Sequence, residues 1–151
     1  MNLKIALDKA IIEQALKARS KNFTLGEIIH RTEGLSLQEL LIGMYRMGYA
    51  QAFCDYLALK FKKNIRLKVQ SGWRSVAYNS TLKGASANSY HIWRFDDKNV
   101  IISANDFSSP DLSKEALHEE FAAFVRGETY LHRRLGFNHA SDYGKDEDFT
   151  V

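Results

Sequence analysis

Arg74 and His91 are the side chains whose setting in this sequence most favours chemistry. Both lie in a polar, glycine-marked stretch: Ser71-Gly72-Trp73-Arg74-Ser75, then Asn79, then Gly84-Ala85-Ser86-Ala87-Asn88-Ser89-Tyr90-His91. Arg74 offers a planar fork of donors suited to a carboxylate or another anionic group. His91 is suited to binding a metal or to moving a proton near neutral pH. Each also has a plainer role open to it: a surface ion pair for Arg74, a hydrogen-bonded core position for His91. Binding and catalytic groups concentrate on loops held by a rigid scaffold, so the elements on either side decide between these roles.

Upstream, Ile65, Leu67 and Val69 alternate with Arg66, Lys68 and Gln70, the period of a half-buried strand. The polar stretch opens at the end of that strand. Residues 76–82 read as a short helix. Downstream, Asp96-Asp97-Lys98-Asn99 separates two apolar runs and reads as a β-hairpin turn. A hairpin lengthens the sequence between two residues while keeping its ends close in space. Its tip is normally solvated, which argues against Asp96 and Asp97 as site residues.

Ser71-Gly72-Trp73-Arg74-Ser75, Asn79, Gly84-Ala85 and Ser89-Tyr90-His91 resemble the zinc D-alanyl-D-alanine carboxypeptidase family. That family includes phage L-alanyl-D-glutamate endopeptidases and shares its fold with hedgehog signalling domains. Its pattern reads S-G-[YW]-R-S, an Asn, G-[GA], then S-x-H followed by G-x-A-x-D. The resemblance covers roughly residues 57 to 142 and is most specific up to His91. It implies an α+β fold, a small antiparallel sheet with helices packed on it, extended here by N-terminal helices.

The resemblance also implies a zinc site. His91 is its first ligand. Asp106 is the second, with Ala104 as the family Ala and Ile102 where the family has Gly. The third is His139 in Phe137-Asn138-His139-Ala140-Ser141-Asp142, with His132 in reserve. Two His and one carboxylate with an open fourth position suit catalytic zinc, which lowers the pKa of a bound water and polarises a peptide carbonyl. Arg74 carries over as the residue that stabilises charge near the scissile bond. Peptide hydrolysis further needs a base for the attacking water and an acid for the leaving amine. The family's acidic residue or His just before the last ligand is not found in residues 134–138. Glu128, His132 and Asp142 are the close substitutes in sequence, and Glu128 and His132, which a tight hairpin before His139 would bring to the site, are the catalytic candidates.

Composition bounds the alternatives. The chain has 151 residues, 45% hydrophobic and 26% charged, which suits one ordinary soluble domain able to bury a core. Its organisation reads as a helical part over 1–56, a peptidase-like core over 57–142 and an acidic tail over 143–151. That tail contains Lys145-Asp146-Glu147-Asp148 but lacks the alternation and loop Gly of an EF-hand. One cysteine excludes an intrachain disulfide, and Cys54 reads as a small buried hydrophobe rather than a nucleophile. The net charge of +3 is too slight to imply nucleic acid. A helix-turn-helix over 24–48 is disfavoured because 36–47 lacks the Arg, Lys, Asn and Gln cluster of a recognition helix.

No run is apolar enough to insert into a membrane, and Met1-Asn2-Leu3-Lys4 leads into Asp8, Lys9 and Glu13, too polar for a signal peptide. The expectation is a protein without its own export signal. It would act on peptidoglycan stem peptides either from the host cytoplasm at lysis or as a virion-associated protein, with phage virion proteins as further partners. The competing reading from another class is a virion structural or wall-binding protein on the same fold, without the chemistry. Its N-terminal helices would then form an assembly surface.

Those helices read as follows. Leu3, Leu7, Ala10, Ile11 and Ala15 have helical spacing, and residues 24–31 form a second short helix. Ser36 and Glu39 form a capping box for a long helix with Leu37, Leu41, Met44, Gly48, Ala52 and Tyr56 as its apolar stripe. Gly43 and Gly48 weaken that helix unless another element packs closely on them. It ends by Lys62-Lys63-Asn64. A last helix starts at Ser113, with Leu117, Phe121, Phe124 and Val125 inward and Lys114, Glu115, Glu119 and Glu120 outward; His118 and His30 read as surface or packing residues.

Overall fold

The computed structural model describes residues 8–127 and 149–150. In chain order the elements are α1 (Lys9–Ala15), α2 (Leu25–Ile29), α3 (Leu37–Phe61), β1 (Lys68–Ser71), α4 (Val76–Ser80), β2 (Arg94–Phe95), β3 (Ile101–Ile102), β4 (Asp106–Ser108), α5 (Lys114–Gly127) and β5 (Phe149–Thr150). The class is α+β. An antiparallel sheet of order β1-β4-β5 carries the helices, and β2-β3 is a separate antiparallel hairpin.

One core joins residues from Phe23 to Phe124. One block of it is aromatic. Phe53 of α3 meets Phe121 of α5 edge-on at 5.3 Å, with Tyr49, Tyr56 and Phe124 around them. Offset and edge-on ring pairs of this kind add to the roughly 1.5–3 kcal/mol gained by fully burying a large apolar side chain.

Local sequence explains most element ends, with corrections. The capping box expected at Ser36 is absent: Ser36 makes no side-chain cap hydrogen bond, and its hydroxyl instead donates to the Glu39 carboxylate. A complete box is found at α2, where the Thr24 hydroxyl accepts from Glu27 N at 3.1 Å and Glu27 Oε1 accepts from Thr24 N at 3.3 Å. Lys62 closes α3 in the left-handed region at φ 54°. The start of β1 is tied to the loop before α5 by Arg66, whose backbone and guanidinium both donate to Asp111.

The apolar stripe expected on α3 is the wrong face. Leu41 and Met44 are 40% and 48% exposed, whereas Leu40, Ile42, Arg46, Ala50, Phe53, Cys54 and Leu57 are buried. Most of the α3 circumference is apolar, so spacing alone fits two faces and tertiary packing selects one. Gly43 is on the selected face, and a Cβ there would lie 2.7 Å from Ile29 Cγ1. Gly48 has nothing within 4 Å. On α5, Leu117, Phe121 and Phe124 are inward as expected, but Glu120 is buried rather than outward, paired with Lys60 of α3.

Candidate functional site

The polar stretch leaves β1 through an irregular register. Val69 lies opposite Phe107 and Ser71 opposite Asp106, so Gln70 is the extra residue of a bulge. A bulge re-aims the side chains beyond it. Here it sets the Ser71 hydroxyl against the carboxylate of Asp106, to which it donates at 2.5 Å.

Gly72 follows, pressed against the end of α2. A Cβ on it would fall 2.2 Å from the Ile28 carbonyl oxygen and 2.6 Å from that of Ile29, so the close approach requires glycine. Trp73 N donates to Ile29 O at 2.9 Å and Arg74 N to His91 O at 2.8 Å. Residues 72–74 thus join α2 on one side to the His91 segment on the other.

His91 is held from several directions. Its backbone N donates to Ser89 Oγ at 3.2 Å, and its ring Nδ1 lies 2.8 Å from the carbonyl oxygen of Gly72. A carbonyl only accepts, so Nδ1 carries the hydrogen and, in the neutral ring, Nε2 keeps its lone pair. Nε2 lies 3.4 Å from Asp106 Oδ2, and the His91 ring is buried.

The hairpin brings these two residues together. Arg94 pairs with Ile102 and Phe95 with Ile101; Asp96 Oδ1 accepts from Lys98 N and Val100 N, closing the turn. At its base, the fully buried Trp93 donates from Nε1 to Ala104 O at 3.0 Å. Asp96 is therefore occupied by its own turn and Asp97 is exposed at the tip. Ile102 stands in ordinary paired strand where the resembled family has Gly.

Arg74 is half-buried, with its Nη1 donating to Asn79 Oδ1 at 3.5 Å. Asn79 is a buried staple, its Nδ2 donating to Ser86 O at 2.8 Å and fixing the loop before His91. Arg94 fixes the same loop from the other end, donating to the carbonyls of Ser89 and Ile92. On α4, next to Asn79, the Tyr78 ring has the Arg31 guanidinium 3.8 Å above it. Glu128, His132 and His139 lie outside the described residues. Among the described residues no group of three or more His, Cys, Asp or Glu is gathered for a metal.

The His91–Asp106 pair fits two ligands of a tetrahedral zinc in donor type and spacing. Bonds of about 2.1 Å at a tetrahedral angle place two donor atoms about 3.4 Å apart. That separation is long for a direct hydrogen bond. The outer contacts match as well: a metal-binding His donates its other ring N–H to a carbonyl or carboxylate, and a ligating carboxylate is itself hydrogen-bonded. The order Ser71–Asp106–His91 is not a nucleophile triad, because a triad needs the imidazole between hydroxyl and carboxylate.

Arg46 and its acceptors Asn105 and Ser103, given no role by the sequence analysis, complete the surroundings. Arg46, fully buried on α3, donates from Nε to Asn105 Oδ1 at 2.6 Å and from Nη1 to Ser103 Oγ at 3.0 Å. Burial pushes its pKa down to about 9, opposed by Tyr49, Tyr45 and Asp106. Ile42, Arg46 and Ala50 lie four apart, on one helix face, but that spacing does not indicate the polar partners of Arg46. No family model, curated protein or solved structure matches this chain.

Proposed function

We propose that this protein is a zinc-dependent peptidase acting on the peptide stems of bacterial peptidoglycan, as a phage lysin does. The observation that carries the reading is the approach of His91 Nε2 to Asp106 Oδ2 at 3.4 Å, with the opposite ring nitrogen committed to Gly72 O. His91 and Asp106 would hold the metal together with His139. When bound, zinc supplies an activated water and polarises the peptide carbonyl. Ser71 and Gly72 hold the two ligands in orientation, and Arg74 stabilises charge on the substrate. Glu128 or His132 moves the proton from water to the leaving amine. The finer fold assignment, a hedgehog/DD-peptidase-like core, belongs to this same proposal.

The test joins metal content to turnover on purified peptidoglycan, with His91→Ala as the control. One equivalent of zinc and released stem peptides, both lost in the variant, are the expected result. Folded protein that binds no zinc and releases nothing would overturn it. Among the described residues no helix is long and apolar enough to cross a membrane. Delivery is part of the proposal: release from the host cytoplasm at lysis, or carriage on the virion.

A second reading, an inactive virion structural or wall-binding protein on this scaffold, is favoured by one observation. Leu41 and Met44 form an exposed apolar strip on α3, and Leu59 is 81% exposed on the same helix. Exposed apolar strips of this kind mark interaction surfaces. A stable oligomer that binds the wall without hydrolysing it is the outcome that selects this reading.

A further inference from the structure

Asn105 makes more directed contacts than its place in a short connecting segment requires. It is 1% exposed, and its amide joins three separate elements. The carbonyl oxygen accepts from Arg46 Nε at 2.6 Å, tying it to α3. The amide nitrogen donates to Ile28 O of α2 at 2.8 Å and to Ser71 O of β1 at 3.2 Å. Arg46 also reaches Ser103 Oγ at 3.0 Å, so one guanidinium grips the segment at alternate residues directly before Asp106.

These contacts bear on the carboxylate by geometry. Successive residues of an extended chain point to opposite sides. Holding Asn105 inward against α2 and α3 therefore turns Asp106 outward, toward His91. The bond from Asn105 to Ser71 O fixes the partner strand at the residue whose hydroxyl orients Asp106. A shape-matched apolar core would fill the same space without a buried charge and its desolvation cost. A planar fork with fixed donor directions supplies what an apolar side chain lacks, a defined orientation.

We propose that Arg46 and Asn105 are positioning residues that hold the Asp106 carboxylate in ligating geometry opposite His91. The inference rests on reading His91 and Asp106 as metal ligands. Arg46 acts through Asn105 and Ser103 on the strand that carries Asp106, and its charge also interacts with the Asp106 carboxylate.

The experiment measures zinc affinity by competition with a chromophoric chelator, alongside denaturant unfolding, for the full chain and for Asp106→Ala, Arg46→Lys, Ser103→Ala and Asn105→Ala. Lysine keeps the charge and loses the fork. Arg46→Lys that remains folded is expected to bind zinc about tenfold more weakly, within the ~10–100-fold range for loss of outer contacts to a metal site. Ser103→Ala, which removes the contact of Arg46 with Ser103 and leaves that with Asn105, is expected to lose less. Folded Arg46→Lys with the affinity of the parent, while Asp106→Ala loses zinc, would overturn the inference and leave the site reading standing. A parent chain with no zinc affinity, or Asp106→Ala binding as the parent does, would overturn both. If Arg46→Lys does not fold, Ser103→Ala and Asn105→Ala decide by the same criterion: weakened zinc in folded protein supports the inference, and unchanged affinity in both ends it.

Discussion

Along α3, Phe53 meets the ring of Phe121 edge-on at 5.3 Å, and about two turns earlier Arg46 meets Asn105 through a hydrogen bond of 2.6 Å. The same helix packs among rings in one half, while in the other Leu40 and Ile42 join the apolar core and Arg46 meets an amide and a hydroxyl. The larger part of what ring burial gains is non-directional: it excludes water, and it scales with area. The polar half is directional. Each donor must find its acceptor, since a buried polar group left without a partner costs far more than a neutral contact gains. The aromatic half is thus suited to supplying stability and the polar half to fixing orientation, and the candidate site lies beside the polar half.

Breaking the aromatic half should have the largest effect on stability and the least on the site. Phe121 is fully buried among Phe53, Tyr49 and Phe124. Phe121→Ala should destabilise the fold by about 3–5 kcal/mol through lost burial and a residual cavity. Denaturant unfolding measures the loss. Zinc affinity of the protein that remains folded should stay at the parent value. A large fall in affinity would show that the two halves are not separable.

The converse variant is Gly72→Ala. The added methyl meets backbone carbonyls of α2 at 2.2 and 2.6 Å, which are not flexible side-chain ends. Overpacking of this kind typically costs about 1–3 kcal/mol, less than Phe121→Ala. Yet the carbonyl that fixes the His91 tautomer belongs to Gly72 itself. Zinc affinity should therefore fall more than with Phe121→Ala despite the smaller stability loss. Equal or higher affinity would break the comparison.

The parts of this arrangement legible in the sequence are the local ones. The strand before Gly72, the turn at Asp96-Asp97-Lys98-Asn99 and the start of α5 each follow from alternation, turn chemistry or helical spacing within a few residues. The nearness of Asp106 to His91 was reachable because one hairpin separates them. The buried face of α3 was not legible, since apolar residues cover two faces and the choice depends on α2, through the Gly43–Ile29 contact, and on α5. Glu120 was misplaced for a related reason: its partner Lys60 comes from α3, 60 residues away. Arg46 was the hardest to see, because a charged residue is normally solvated and its acceptors at 103 and 105 lie 57 and 59 residues downstream. Polar burial is written in tertiary partners, which periodicity does not report.

The smallest expected effect sharpens the comparison from outside both halves. Arg66 grips Asp111 by its backbone and guanidinium, at 2.8, 3.1 and 2.7 Å, and this holds the Asp111 carboxyl down from its ordinary 3.8 to about 2. A carboxyl whose folded pKa lies below its unfolded one stabilises the fold above the unfolded value, and that contribution fades as pH falls through the folded one. The window is thus from about 3.8 down to about 2. Asp111→Asn should remove this part of the acid dependence, measured as unfolding midpoint against pH, while changing neutral stability less than either variant above. It should leave zinc affinity alone, because Asp111 anchors the segment leading into β1, at Arg66, rather than the bulge at Ser71. A matching fall in affinity would mean that the whole strand, and not the polar grip around Asn105, sets the geometry of Asp106.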